Sequence, residues 1–193
     1  MQRTTAVMAA LVVLGAAGAA AAGGKWDVRA MSDEKLVKLA LSAAPDRVAE
    51  GATVVLKEKD GTMRVLRQGD NGFTCMPFID EAAPGPDPIC MDGPALQWGG
   101  DMMSGKPAPS NTVPGVAYMA NGGYHWEKDG QVVTGSGDGA RAVKESPHWM
   151  ILFPFDPEVN ALPTLPNKGG TWVMFGDTAY SHLMIHQDPR KMR

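Results

Sequence analysis

The sequence predicts an α+β fold: a mostly antiparallel sheet of short, hairpin-linked strands with one or two helices and one disulfide. Three observations carry that prediction. Turn dipeptides recur between short apolar runs, at Asp60-Gly61, Asn121-Gly122, Asp129-Gly130 and Gly176-Asp177, and such pairs let two strands reverse within two residues. The 23 Gly and 15 Pro among 193 residues favour turns and short elements over long helices. Helical periodicity is confined to two segments.

In chain order, Ser32 before Asp33 and Glu34 opens the first helix, with a hydroxyl to cap it and acids at its positive end. Leu36, Leu39, Ala40 and Ala43 fall at i, i+3, i+4 and i+7, so a helix covers 33–44 until Pro45 stops it, with one further turn to Gly51. Residues 53–59 and 62–67 form a hairpin about Asp60-Gly61, and Asn71-Gly72 turns the chain again before Phe73-Thr74-Cys75. Pro94 suits a first helical position, and Trp98 and Met102 lie four apart, which predicts a second helix over 94–103 closed by Gly105. Residues 115–120, 124–128 and 131–134 read as a three-strand meander, and 135–146 as loop. Residues 148–153 are apolar on both alternating faces, the pattern of a central strand. Residues 172–175 and 178–186 form a last hairpin about Gly176-Asp177.

The N-terminus points outside the cytoplasm. Arg3 precedes an Ala/Val/Leu/Gly run that ends in Ala20-Ala21-Ala22 before Gly23, the pattern of a secretory signal peptide over 1–22 with a single α+β domain over 23–193. The run is about 17 residues, short of the roughly 20 that a membrane span needs. No membrane span is therefore expected after cleavage, and the mature domain is expected to be periplasmic or secreted. In that oxidising setting Cys75 and Cys90 pair most simply as a disulfide. The bond closes a loop containing Pro77, Pro84, Pro86 and Pro88 and contributes on the order of 3 kcal/mol by chain entropy.

Composition and motifs exclude more than they assign. Net charge is -3 and no Lys/Arg run exceeds two residues, so nucleic acid is not an expected partner. The His-Glu-x-x-His, Gly-x-Ser-x-Gly, phosphate-loop and calcium-loop patterns are absent. Residues 135–140, Gly-Ser-Gly-Asp-Gly-Ala, imitate a dinucleotide loop but lack a βαβ setting, and read as a solvated loop. Asp80, Glu81, Asp87 and Asp92 offer oxygen ligands at irregular spacing, and read as a solvated acidic loop rather than a calcium site.

The most distinctive feature is a repeat: His148-Trp149-Met150-Ile151 and His182-Leu183-Met184-Ile185. Alternation puts imidazole and thioether on one face of each strand, about 7 Å apart. His148, Met150, His182 and Met184 are thus a candidate ligand set for Cu(I), which favours soft sulfur with imidazole. The plainer reading is methionine filling a core and histidine hydrogen-bonded at its rim. A two-residue turn at 176–177 pairs Thr171 with His182 and aligns His182 and Met184 with Val173, Phe175 and Tyr180, with Trp172 and Met174 facing away. The four ligands meet only if the strand at 148–153 lies beside that hairpin. An acid/base role for His148, His182 or His186, with Asp177 or Tyr180 as local partner, is a third possibility that no spacing selects.

Asn71-Gly72-Phe73-Thr74-Cys75, Asp87-Pro88-Ile89-Cys90-Met91-Asp92, Gly115-Val116-Ala117-Tyr118-Met119 and the two His-x-Met segments resemble a group of small exported bacterial proteins of uncharacterised function, over about residues 40–186. The resemblance implies export, a disulfide, one domain and a continuous helix after the second cysteine; it implies no activity. The leading expectation is a non-catalytic domain that binds a small ligand or a protein partner. Copper binding and an unfamiliar enzyme are the alternatives.

Overall fold

The structure, a computed structural model, describes residues 27–137, 139–167 and 169–192, so the signal peptide expected over 1–22 lies outside the described residues. Helix α1 spans Asp33–Leu41 and α2 Asp46–Ala49. Strands β1 (Thr53–Lys57), β2 (Met63–Arg67), β3 (Thr74–Met76) and β4 (Ile89–Met91) precede α3 (Gly93–Met103). Strands β5 (Gly115–Met119), β6 (Tyr124–Lys128), β7 (Gln131–Val133), β8 (Arg141–Lys144) and β9 (His148–Leu152) follow, then α4 (Pro157–Asn160), β10 (Thr171–Met174) and β11 (His182–Ile185). Eight strands form one sheet in the order β10-β11-β9-β5-β4-β3-β1-β2, and β7-β6-β8 form a second. The α+β prediction stands, and among the described residues β1 with β3 is the one parallel pair among antiparallel ones.

Both faces of the large sheet are apolar, as the pattern of β9 requires. Helix α1 lies on one face, where Ala40 packs with Val54, Cys75 and Cys90, and Leu36 with Leu56 and Phe78. Cys75 and Cys90 sit directly opposite each other on β3 and β4 and are joined as the expected disulfide. Helix α3 lies on the other face, with Ala95 and Trp98 against Met91, Ala117, Met150 and Met184. It starts where the sequence places it, because the Asp92 carboxylate accepts the Ala95 N–H at 2.9 Å and Pro94 fills the first turn. It runs unbroken through Gly99 and Gly100, since burial of Ala95, Trp98 and Asp101 along one stripe outweighs the propensity of two glycines.

Several expectations are corrected. The first hairpin pairs Lys57 with Met63, one register step from a two-residue turn at Asp60-Gly61. Ser32 precedes α1 but makes no side-chain cap bond. The meander does not form. β5 joins the large sheet between β4 and β9, whereas β6 and β7 pair with each other in the small sheet. The chain switches sheets at Gly122, whose φ is +64° and where a Cβ would stand 2.1 Å from the Glu145 carbonyl oxygen, so only glycine passes there. Residues 141–144 are not loop but β8, paired to β6 with His125 opposite Val143. The last hairpin pairs Met174 with His182 and Trp172 with Met184. Its connection covers 175–181, where the Thr178 hydroxyl donates to the Phe175 carbonyl at 3.0 Å and accepts the Tyr180 N–H at 3.1 Å. The register therefore moves by an odd number of residues, so Trp172 and Met174 share the face of His182 and Met184, and Val173 does not.

Candidate metal centre

Strand β9 does lie beside β11, with Met150 opposite Met184, Ile151 opposite Leu183 and Trp149 opposite Ile185. Alternation then turns His148, Met150 and Leu152 to one face of β9, and His182 and Met184 to the same face of β11. All four expected ligands are buried there, between 1% and 6% exposed. The two thioethers are direct cross-strand neighbours. The two histidines are not, because the antiparallel register puts His182 opposite Leu152 and His148 at the far end of the methionine pair. About 13 Å of strand separates them at a rise near 3.3 Å per residue. His182 instead faces Met174, with its ring 4.9 Å from that of Trp98 and 5.6 Å from that of Phe175.

The residue across from His148 is His186. The His186 N–H reaches the Gly170 carbonyl oxygen at 2.6 Å, so the strand pairing of β10 and β11 continues one step past Ile185. The rings of His148 and His186 stand 5.6 Å apart. Met119 on β5 is opposite His148 on its other side. Met76, Met91, Met119, Met150, Met174 and Met184 all belong to this one buried cluster.

The tautomers can be read from the hydrogen bonds. His148 Nδ1 lies 2.8 Å from the Ser146 carbonyl oxygen and His182 Nδ1 3.0 Å from that of Tyr180. A carbonyl only accepts, so Nδ1 carries the proton in each and Nε2 presents the lone pair. Burial holds both rings neutral, with pKa values pushed down to about 4.

Beside this face lies a buried carboxylate bridge. Glu145, just past β8, pairs through one oxygen with His125 Nδ1 and through the other with His186 Nε2 at 2.9 Å. His125 Nε2 reaches Glu127 at 2.9 Å, and Glu127 in turn meets Arg141. Burial raises the Glu145 pKa, but hydrogen bonds from His125 and His186 outweigh it and bring it to about 2. Burial would lower His125, and its bonds to Glu145 and Glu127 outweigh that and raise it. The Trp172 indole N–H also points at His186 Nε2, from 3.2 Å. One nitrogen cannot donate to Glu145 and accept from Trp172 at once. An ionised carboxylate only accepts, so pairing with Glu145 calls for the proton on His186 Nε2, and the bond from Trp172 for the lone pair there.

The other candidates disperse. Asp177 is exposed, and the Tyr180 hydroxyl donates to the Lys106 carbonyl oxygen, so neither side chain is hydrogen-bonded to a histidine. Asp87 is buried rather than solvated and accepts the Ile79 and Asp80 N–H groups at 3.1 Å. Asp80 accepts the Trp126 indole N–H at 2.7 Å, and Glu81 pairs with Arg29 at 2.6 Å. Among the described residues no three His, Cys, Asp or Glu side chains are placed to hold a metal ion, so a metal here must draw on thioether sulfur. A shallow pocket of about 350 Å³, lined by Leu41, Asp46, Ala49, Glu50 and Arg67, involves none of these groups.

His125, Glu127 and Glu145 were not singled out from sequence. His125 and Glu127 stand two apart on one strand and so share a face, a signal that was present; Glu145 has none, since its partners come from two other segments. Comparison with protein-family models, with curated proteins and with solved structures finds no match to this chain.

Proposed function

We propose that the chain is an exported, non-catalytic binding domain and that its ligand is a soft metal ion, Cu(I). The observation that carries this reading is the direct opposition of Met150 and Met184 on the face where neutral His148 offers Nε2. Two thioethers and an imidazole suit Cu(I), and they stay competent in an oxidising compartment where thiols would be consumed. The one cysteine pair is closed as a disulfide and leaves no thiolate to compete. Export is supported by the 1–22 pattern and by the resemblance to small exported bacterial proteins.

The test is titration of the mature protein with Cu(I) against a competing chelator, comparing wild type with Met150→Leu and Met184→Leu, which keep side-chain volume while removing sulfur. Each variant should fold normally and bind Cu(I) at least tenfold more weakly. Equal, weak binding by all three would make the methionines ordinary core and end the copper reading. Elemental analysis of protein recovered from the envelope should find copper, and intact mass should place the N-terminus at or near Gly23.

A further inference from the structure

We propose that the second imidazole of this copper site is His186, not His182, and that Glu145 is the residue that positions it; the inference rests on the Cu(I) reading above. Two cross-strand pairs lie side by side on one face of β9 and β11, Met150 with Met184 and His148 with His186. Paired Cβ atoms stand about 5 Å apart, and successive pairs on one face about 7 Å along the strand. Four donors thus occupy the corners of one small rectangle, within reach of a common point for side chains as long as His and Met. His182 is a further two residues away, opposite Leu152, and its ring is taken up by Trp98 and Phe175.

The orientation of the two imidazoles fits the same assignment. Histidines that ligate metals usually give their other N–H to a carbonyl or carboxylate, which fixes the tautomer and turns the free nitrogen to the ion. His148 gives Nδ1–H to Ser146 and leaves Nε2; His186 Nε2 stands 2.9 Å from Glu145, and the tautomer with its proton on that nitrogen leaves Nδ1 free. No hydrogen bond among the described residues reaches either of those free nitrogens. The other oxygen of Glu145 lies against His125, itself paired with Glu127. His186 is also the donor nearest to solvent, with 12% of its side chain exposed against 1% of His148 as a whole. An ion entering this buried face meets His186 first.

The experiment combines ¹⁵N NMR of the histidine rings with Cu(I) titration of the mature protein. Without metal, His186 should be the Nε2–H tautomer; on adding Cu(I), His186 Nδ1 and His148 Nε2 should shift while His182 stays unchanged. His186→Ala should weaken Cu(I) binding at least tenfold and His182→Ala by less than threefold. Glu145→Gln should weaken it roughly 10- to 100-fold and mix the His186 tautomers, an effect that a merely structural carboxylate would not have. A Cu(I)-dependent shift at His182 with none at His186 would overturn this assignment and leave the copper reading intact. Unshifted rings throughout, with weak binding by wild type, would overturn both. The NMR arm needs no variant, so a misfolded substitution cannot shelter the proposal.

Discussion

Asp92 holds Val116 by its backbone: one carboxylate oxygen accepts the Val116 N–H at 3.0 Å while the other accepts the Ala95 N–H at 2.9 Å. A single side chain thus caps α3 and fastens that helix to β5. Asp92→Ala removes an N-cap and leaves a strand N–H without its acceptor, so stability should fall by about 1–2 kcal/mol. Asp92→Asn keeps acceptor capacity for one of the two and should cost less. Urea denaturation of both variants checks the order, and equal losses would show that the bond asparagine retains contributes nothing.

Gly100 and Gly115 should respond in opposite directions to the same added methyl. A Cβ on Gly100 meets nothing within 4 Å, and alanine there should stabilise α3 by about 0.5–1 kcal/mol. A Cβ on Gly115 would lie 2.3 Å from the Ala95 backbone nitrogen, where the first residue of β5 runs against the start of α3. Gly115→Ala should cost about 1–3 kcal/mol or more through forced separation of helix and sheet. Thermal melts of the pair test the close approach directly.

Asp87 should make stability decline between about pH 4 and pH 7. Burial pushes its carboxyl up to about 7 despite the two backbone N–H groups it accepts, so the folded state holds a proton that the unfolded chain has already released. Stability from this group is complete below the unfolded value and diminishes as pH rises through the folded one, by on the order of a few kcal/mol. Asp87→Asn removes that dependence, so its stability relative to wild type should improve steadily from pH 4.5 to 7.5. Parallel pH profiles for the two proteins would contradict this.

Removing the disulfide by the double change Cys75→Ser and Cys90→Ser should cost roughly 2–5 kcal/mol. The bond joins directly paired residues of β3 and β4 at the base of a loop broken by prolines, so its loss chiefly frees the unfolded chain from a cross-link. Chemical denaturation gives the magnitude. Thiol titration of unreduced wild type should find none.

What the sequence revealed depended on how local each signal was. The helix at α3, the hairpin of β1 and β2, and the central position of β9 follow from residues a few positions apart. β4 escaped notice because it is three residues long behind Pro86 and Pro88, and β8 because Arg141 and Lys144 disguise a short alternation. The last hairpin misled for a physical reason: Gly176-Asp177 is a plausible turn, but the hydrogen bonds of Thr178 extend the reversal to Ser181 and invert every side chain of β10 relative to β11. In the candidate site, strand alternation and the two His-x-Met segments make His148, Met150 and Met184 legible. Glu145 and His125 become partners only when the small sheet meets the large one, a relation that no spacing along the chain encodes.

The order β10-β11-β9 places the last strand of the chain inside the sheet rather than at its border. A polypeptide made from its N-terminus presents β9 and β10 before the strand that separates them. Until residues 182–185 emerge, β9 has an unsatisfied ladder along one side and the face carrying Met150 lacks its neighbour. Completion of the fold is therefore withheld until residues 182–185 are available, and until then the growing domain has an open edge suited to capture by another strand. A chain ending at residue 181 would forfeit the closing strand and remain in that state.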